Sequence, residues 1–187
     1  MIVCTLASFA FFCSESICAL RLFRFPIPEF LRSCKLPSMK IPGLRSSYET
    51  VGGIVFFGGM LDKIRLHAQG KLPADYQNNL GIGSDGRTVR FLRVEYTKLV
   101  ERVRQGGADE EILQWCFAHG RTPSEEEILI WNAFMTKRGW RDETAPDLER
   151  MKQERGFSDR DDIQTFFDFH RGDEDDSSPP TGAITSK

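Results

Sequence analysis

The chain has 187 residues, of which 40% are hydrophobic and 28% are charged, and its formal net charge is -2. This composition is typical of a soluble globular protein, and it excludes both a chain disordered throughout and a protein with many membrane spans. The chain also lacks the overall basic field that draws proteins to phosphates, so we expect no nucleic-acid partner.

Residues 1–38 are predicted to be an extension outside the domain. The stretch from Ile2 to Cys13 is apolar but shorter than the roughly 20 residues of a membrane span, and arginines follow it rather than precede it. Three interpretations stay open: a targeting segment or anchor, a disordered extension, or translation that begins at Met39. A membrane partner is expected only if this segment is a real anchor.

The distribution of the cysteines indicates the redox state of the compartment in which the domain resides. Four of the five cysteines lie within the first 34 residues, which leaves Cys116 alone in the domain. A domain with one cysteine cannot form an internal disulfide, so we expect it to rely on packing in a reducing compartment, the cytoplasm. The alternative is a membrane-targeted protein that uses the N-terminal apolar segment.

Residues 39–170 are predicted to form a single all-α domain, a compact bundle of about five or six short to medium helices with irregular connectors. Apolar residues recur every three or four positions along most of this region, and no strand alternation is evident. An irregular connector is expected over residues 71–85. The predicted helices lie within Val51–Gly70, Glu95–Arg104, Asp109–His119, a segment opening at Thr122, Pro146–Arg155, and a last segment opening at Ser158, and a short helical turn is expected at Arg87–Leu92.

The best local signal in the chain is the start of the helix at Thr122-Pro123-Ser124-Glu125. It combines a capping threonine, a proline at the first helical position and a glutamate placed to close a capping box. We expect this helix to be central in the bundle, because apolar side chains cover much of its circumference: Ile128, Ile130, Trp131, Phe134 and Met135. Residues 171–187 are predicted to be a disordered acidic tail.

Two short motifs resemble chemical sites but favour structural roles. Gly81–Gly86 fits the G-x-G-x-x-G string, yet no buried strand precedes it, so we expect a glycine-rich turn and no cofactor. Cys116 and His119 lie near a helix C-terminus, where the helix dipole raises the pKa of a thiol. We expect a buried cysteine, a histidine bound to free carbonyls and no metal site.

Two functional hypotheses remain open, and the sequence does not decide whether the protein is an enzyme. The favoured one is a small binding or interaction domain with an unknown protein or small-molecule partner, because no complete catalytic constellation is present. The alternative is an enzyme in which His67, as general base, and Asp62 meet Asp85 or Arg87 of the connector in one pocket. Those side chains would then have to converge within hydrogen-bond reach.

Several blocks of sequence resemble a known family when they are taken in order. They are MLDKIRLHAQGKLP, NLGIGSDGR, DEEILQWCFAHGRTPSEEEILIWNAFM, KRGWRDE and DRDDIQTFFDF. Together they resemble a bacterial family known only as domain of unknown function 5069, over nearly all of Val51 to Phe169. The resemblance implies a helical, cytoplasmic domain, supplies no activity, cofactor or catalytic residue, and leaves residues 1–38 outside the family pattern.

Overall fold

A computed structural model describes residues 40–174, which form eight helices and one β-hairpin. The elements are β1 (Thr50–Val51), β2 (Ile54–Val55), α1 (Phe57–Ala68), α2 (Ala74–Gln77), α3 (Gly83–Leu92), α4 (Tyr96–Arg104), α5 (Asp109–His119), α6 (Glu125–Lys137), α7 (Ala145–Arg155) and α8 (Phe166–Glu174). The predicted all-α class is confirmed. The predictions for residues 1–38, for a start at Met39 and for the tail beyond Glu174 lie outside the described residues.

The first helix begins later than the sequence predicts. Val51 pairs with Ile54 in an antiparallel hairpin, and Gly52 and Gly53 form its turn. Both glycines have positive φ angles, 55° and 81°, as a two-residue hairpin turn of this kind requires. The glycines therefore reverse the chain instead of extending the helix, and the prediction of helix from Val51 is wrong.

The helix α1 lies at the centre of the main hydrophobic core. Its side chains Phe57, Met60 and Leu61 have no exposed surface, and α1 packs against β1 and α4. A Cβ atom on Gly58 would lie 2.8 Å from the guanidinium of Arg45. The glycine in the first turn thus lets the chain before the hairpin approach α1 closely.

The helices α3, α4 and α5 lie close to their predicted positions. The helices α4 and α5 begin within one residue of the prediction, and α3 begins at Gly83, four residues before Arg87. The connector predicted to be irregular contains one helical turn, α2. The described helices outnumber the predicted ones because of this turn, which is too short to show periodicity, and because the short turn expected at Arg87–Leu92 is part of the longer helix α3.

The helix α6 starts two residues later than predicted. Ser124 is its N-cap: the Ser124 hydroxyl accepts from the N–H of Glu127 at 3.2 Å, and the Glu127 carboxylate accepts from the N–H of Ser124 at 2.8 Å. These two bonds form a capping box. Thr122 with Glu125 fits the same spacing, so the sequence offered two candidate caps and the prediction of Thr122 is wrong.

The last helix also begins later than predicted. Residues 157–165 form turns rather than the helix expected from Ser158. The side chain of Thr165 accepts from the N–H of Asp168 at 3.1 Å, which caps α8. The helix then continues to Glu174, beyond His170, where the sequence placed the end of the domain.

The length and composition of the described helices bear on membrane insertion. None of the helices within residues 40–174 is long and apolar enough to cross a membrane.

The hairpin turn can be tested with two glycine variants that differ in one physical respect. Gly52 and Gly70 both have positive φ, but a Cβ on Gly52 would collide with the buried side chain of Leu113, whereas a Cβ on Gly70 would meet nothing within 4 Å. We expect Gly52→Ala to lower the free energy of unfolding by about 3 kcal/mol and Gly70→Ala by about 1 kcal/mol. Urea denaturation measures both, and equal losses would show that Leu113 moves aside freely.

Candidate functional site

A charged network joins the chain before the hairpin to α1 and α5. The carboxylate of Asp62 accepts two hydrogen bonds from the guanidinium of Arg45, each 2.7 Å long. Asp109, the first residue of α5, binds Arg45 at 2.6 Å and Arg65 at 2.7 Å. Burial opposes ionisation of Asp109, but the hydrogen bonds from Arg65 and Arg45 hold its pKa below the ordinary value. Asp62, a predicted site residue, is therefore part of a structural ion-pair network.

A second ion pair connects α1 to the first turn of α3. Lys63 binds Asp85, whose side chain is fully buried. Asp85 also accepts a hydrogen bond from the N–H of Gly81 at 3.2 Å. Burial raises the pKa of Asp85, while the charge of Lys63 and the hydrogen bonds from Lys63 and Gly81 oppose that shift. The pair holds the glycine-rich connector against the central helix.

The four predicted site residues do not form one site. His67 is exposed near the end of α1, and Arg87 is half-buried on α3. Asp62 pairs with Arg45, whereas Asp85 pairs with Lys63. Within residues 40–174, no hydrogen bond or ion pair joins any two of the four predicted residues. The enzyme hypothesis with His67 as general base is therefore not favoured.

The glycine-rich segment Gly81–Gly86 leads from a turn into α3. The helical turn α2 precedes it in place of the buried strand that a dinucleotide loop follows. The carboxylate of Asp85 in this segment accepts a hydrogen bond from the N–H of Gly81. A negative charge fills the start of α3, where a bound phosphate would need free N–H groups.

Cys116 and His119 have the structural roles expected from the sequence. Cys116 is fully buried, and burial raises the pKa of its thiol to about 12. The Nδ1 atom of His119 lies 2.9 Å from the carbonyl oxygen of Trp115. The prediction of a buried cysteine and a carbonyl-bound histidine is confirmed.

A third histidine, His170, lies outside the set of predicted site residues. Its Nδ1 atom lies 3.0 Å from the hydroxyl of Ser47, which joins α8 to the chain before the hairpin. Burial and the nearby positive charge of Lys63 lower the pKa of His170 to about 4, so the ring is neutral at pH 7. Its partner is 123 residues away in the chain, and no local pattern could have indicated the pair.

The inward face of α6 is tightly held. Trp131 stacks on Phe91 with ring centroids 4.4 Å apart, and Met135 is buried. The amide of Asn132 accepts from the N–H of Val55 at 3.1 Å and donates to the carbonyl of Gly53 at 2.7 Å. The backbone of the hairpin and an aromatic stack thus fix both the rotation and the position of this helix.

The outward face of α6 is apolar and exposed, so the prediction that this helix is central is wrong. Leu129 is 70% exposed, Ile130 60% and Phe134 44%, and Ala133 lies among them. We call these four residues the α6 face. Residues spaced three and four positions apart occupy the same side of a helix, so the apolar circumference splits into one side in the core and one in solvent.

The α6 face is bracketed by opposite charges. Glu126 lies one turn before Ile130, and Lys137 lies one turn after Ala133. Both are exposed, and within residues 40–174 neither forms an ion pair. The described part of the chain thus carries a short apolar strip with an acidic end and a basic end.

One protein family matches most of the chain. The profile of one family, described as a domain of unknown function (DUF5069), matches residues 41–176. The chain belongs to this family. No curated protein matches the chain. The match covers every described helix of the DUF5069 domain, and it confirms the resemblance noted from the sequence blocks.

The buried pair of the DUF5069 domain can be tested by removing one charge at a time. We expect Asp85→Asn to lower the free energy of unfolding by about 3 kcal/mol, because it leaves Lys63 without its buried counter-charge. The double variant Lys63→Met with Asp85→Leu should recover most of that loss, since no buried charge remains. Thermal or urea unfolding measures both, and a double variant no more stable than Asp85→Asn would contradict the charge argument.

The partly buried His170 predicts how stability depends on pH. Because its pKa is about 4 in the folded protein against an ordinary 6.5, the unfolded state takes up a proton first as the pH falls. As the pH falls from 6.5 to 4, His170 should therefore lower the free energy of unfolding by up to about 3 kcal/mol. Above pH 6.5 it should have no such effect. We expect His170→Gln to reduce this loss, measured by urea unfolding at pH 7, 6 and 5. The exposed His67→Gln is the matched control, and identical pH profiles for both variants would refute the assignment.

Proposed function

We propose that this DUF5069 domain is an interaction domain and that two copies of the chain pair through the α6 face. The observation that carries the proposal is the exposure of Leu129, Ile130 and Phe134 on a helix whose opposite side is firmly packed. Clustered large apolar side chains on a rigid surface are typical of contact sites, whereas single ones are common everywhere. The face requires no rearrangement to bind, because the stack on Trp131 and the bonds of Asn132 already hold it.

A second copy of the chain fits this face in an antiparallel arrangement. A two-fold axis across the middle of the α6 face would bring Leu129 opposite Phe134 of the second copy. The same axis brings Ile130 of each copy opposite the small Ala133 of the other, which leaves room for the two isoleucine side chains near the centre of the contact. A large side chain opposite a small one lets two helices interdigitate there.

The charges at the two ends favour the same arrangement. The antiparallel axis that pairs the apolar residues places Glu126 of one copy beside Lys137 of the other, twice per dimer. The first turn of α6 holds Glu125, Glu126 and Glu127, and its last turn holds Lys137, so antiparallel helices bring opposite charges together at both ends of the contact. A parallel pair would bring like charges together.

The contact area limits the strength of this dimer. One helix pair buries less surface than a standard stable interface, so we expect a transient dimer with a dissociation constant of about 10 µM. Its occupancy then depends on the protein concentration in the cell.

The first test compares two isoleucines in the full chain. Ile130 is 60% exposed on the α6 face, and Ile82 is 58% exposed outside it. We expect Ile130→Glu to weaken the dimer at least tenfold, because it places a charge in the apolar contact, and Ile82→Glu to leave it unchanged. Analytical ultracentrifugation over a range of concentrations measures both. The variant His67→Ala should also leave the dimer intact.

The second test uses charge reversal to identify the partner. We expect Glu126→Lys alone and Lys137→Glu alone each to weaken the dimer roughly threefold to tenfold, since each places like charges opposite one another. The double variant should restore most of the affinity, because the pairs are re-formed with exchanged signs. Only a second copy of the same chain in the antiparallel register predicts this rescue.

Two outcomes would overturn the proposal. A wild-type chain that stays monomeric up to millimolar concentration would assign the α6 face to another occupant, either the apolar segment Ile2–Cys13 of the chain itself or a different protein. A dimer that Ile130→Glu does not weaken would place the contact elsewhere. Circular dichroism of each variant controls for loss of folding.

The cytoplasm is the location that we propose for the domain. Cys116 is the single cysteine within residues 40–174, and it is buried as a free thiol. A domain stabilised by packing and ion pairs without a disulfide suits a reducing compartment. Cell fractionation decides between this location and a membrane-targeted one that uses the N-terminal apolar segment.

A further inference from the structure

A cleft on another part of the domain has features of a ligand site. It lies where the turn between α3 and α4 meets the last turns of α5, and it encloses about 160 Å³. The residues that line it are Arg93, Val94, Glu95, Lys98, Trp115 and His119. We call it the Trp115 cleft. None of these residues belongs to the α6 face, so the inference does not depend on dimerisation.

The cleft contains a positive charge without a partner. Arg93 is exposed, and within residues 40–174 it forms no ion pair or side-chain hydrogen bond. Lys98 and Glu95 also line the cleft and pair at 3.3 Å, so their opposite charges offset each other and Arg93 provides the net positive charge. The guanidinium of Arg93 is therefore available to a ligand.

Arg93 has the left-handed backbone that this helix end requires, but an arginine adopts that conformation at a higher cost than a glycine. Arg93 ends α3 in the left-handed conformation, with φ 56° and ψ 38°. Glycine is the usual residue there, and the same chain uses Gly156, with φ 74°, to end α7. Strained residues of this kind concentrate at ligand sites, where the side chain has a use.

The opposite wall of the cleft is aromatic and fixed. His119 stacks on Trp115 with ring centroids 4.5 Å apart, and its Nδ1 atom lies 2.9 Å from the Trp115 carbonyl. A carbonyl oxygen only accepts hydrogen bonds, so the Nδ1 atom carries the hydrogen and donates it. The Nε2 atom is then a hydrogen-bond acceptor. Val94 adds an apolar surface beside the indole.

We infer that the Trp115 cleft binds a small organic anion, with its phosphate or carboxylate on Arg93 and its carbon body against Trp115 and Val94. The guanidinium presents two parallel N–H donors, which match the spacing of the oxygen atoms in either group. The carbon body would displace water from the indole and the valine. A simple surface groove predicts neither a saturable site nor a role for the side chain of Arg93.

The experiment follows the indole N–H signal of Trp115 in the NMR spectrum of the full chain, assigned with Trp115→Phe. The probes are phenyl phosphate, benzoate, inorganic phosphate and the neutral benzyl alcohol. We expect phenyl phosphate or benzoate to shift this signal saturably, with a dissociation constant of about 1 mM or lower, and benzyl alcohol to have no such effect. The organic anion that binds more strongly, phenyl phosphate or benzoate, identifies the preferred oxyanion.

The decisive variant is Arg93→Gly, because the two roles of Arg93 predict different results. Relief of the left-handed strain should raise Tm by about 3 °C, while loss of the guanidinium should weaken anion binding at least fivefold. Arg93→Gln keeps the strain and should lose binding without the rise in Tm. Arg104→Ala removes an equal charge from the exposed end of α4 and should leave binding unchanged.

Four results would overturn the inference. Three of them are the absence of a saturable shift with every probe, an equal response to benzyl alcohol, and equal losses of binding in Arg93→Gly and Arg104→Ala. A more stable Arg93→Gly variant with unchanged binding would show that the arginine has no ligand role.

Discussion

The burial of α1 is the constraint on which the rest of the structure depends. Phe57, Met60 and Leu61 fill the centre of the core, and α1 is enclosed by the hairpin, by α4 and by the chain that precedes the hairpin. Most of this helix lies away from water, so the polar residues on its buried part need partners within the protein. The arrangement of Arg45, the start of α5 and the start of α3 follows from that need.

The charges on α1 explain why residues suited to acid and base chemistry here have structural roles. Asp62 and Lys63 are neighbours in sequence, yet they lie on different sides of the helix and pair with different partners. Asp62 joins the chain before the hairpin to α5 through arginines, and Lys63 joins the connector through Asp85. Each pair neutralises a charge that burial would otherwise penalise. Neither carboxylate remains free to work with His67.

The helix α6 combines firm attachment with an exposed apolar side, and this combination is what makes an interaction function reasonable. An apolar strip on a loosely held segment would fold back into the core or collapse. Asn132 prevents that by binding the hairpin backbone, and Trp131 prevents it by stacking on Phe91. The α6 face therefore stays exposed to solvent because the helix cannot rotate it into the core. Pairing with another helix is the simplest way to bury it.

The positions of most helices could be predicted from the sequence, because apolar spacing and glycine stops act over a few residues. The span of α5 and the burial of Cys116 followed from such local patterns. The choice between Thr122 and Ser124 as a cap, and the use of Gly52 and Gly53 as a turn, could not be predicted, because each local pattern permitted two structures. Contacts between distant segments decided between them.

The sequence by itself determined the helical class of this protein, its family and the residues able to carry charge or apolar surface. Only the tertiary structure decided how those residues are used. It paired Asp62 and Asp85 with different cations, joined His170 to Ser47, and turned Leu129, Ile130 and Phe134 outward. The physical reason is that partners distant in the chain, such as Ser47 and His170, determine the free energy of each arrangement, and spacing along the chain does not reveal them.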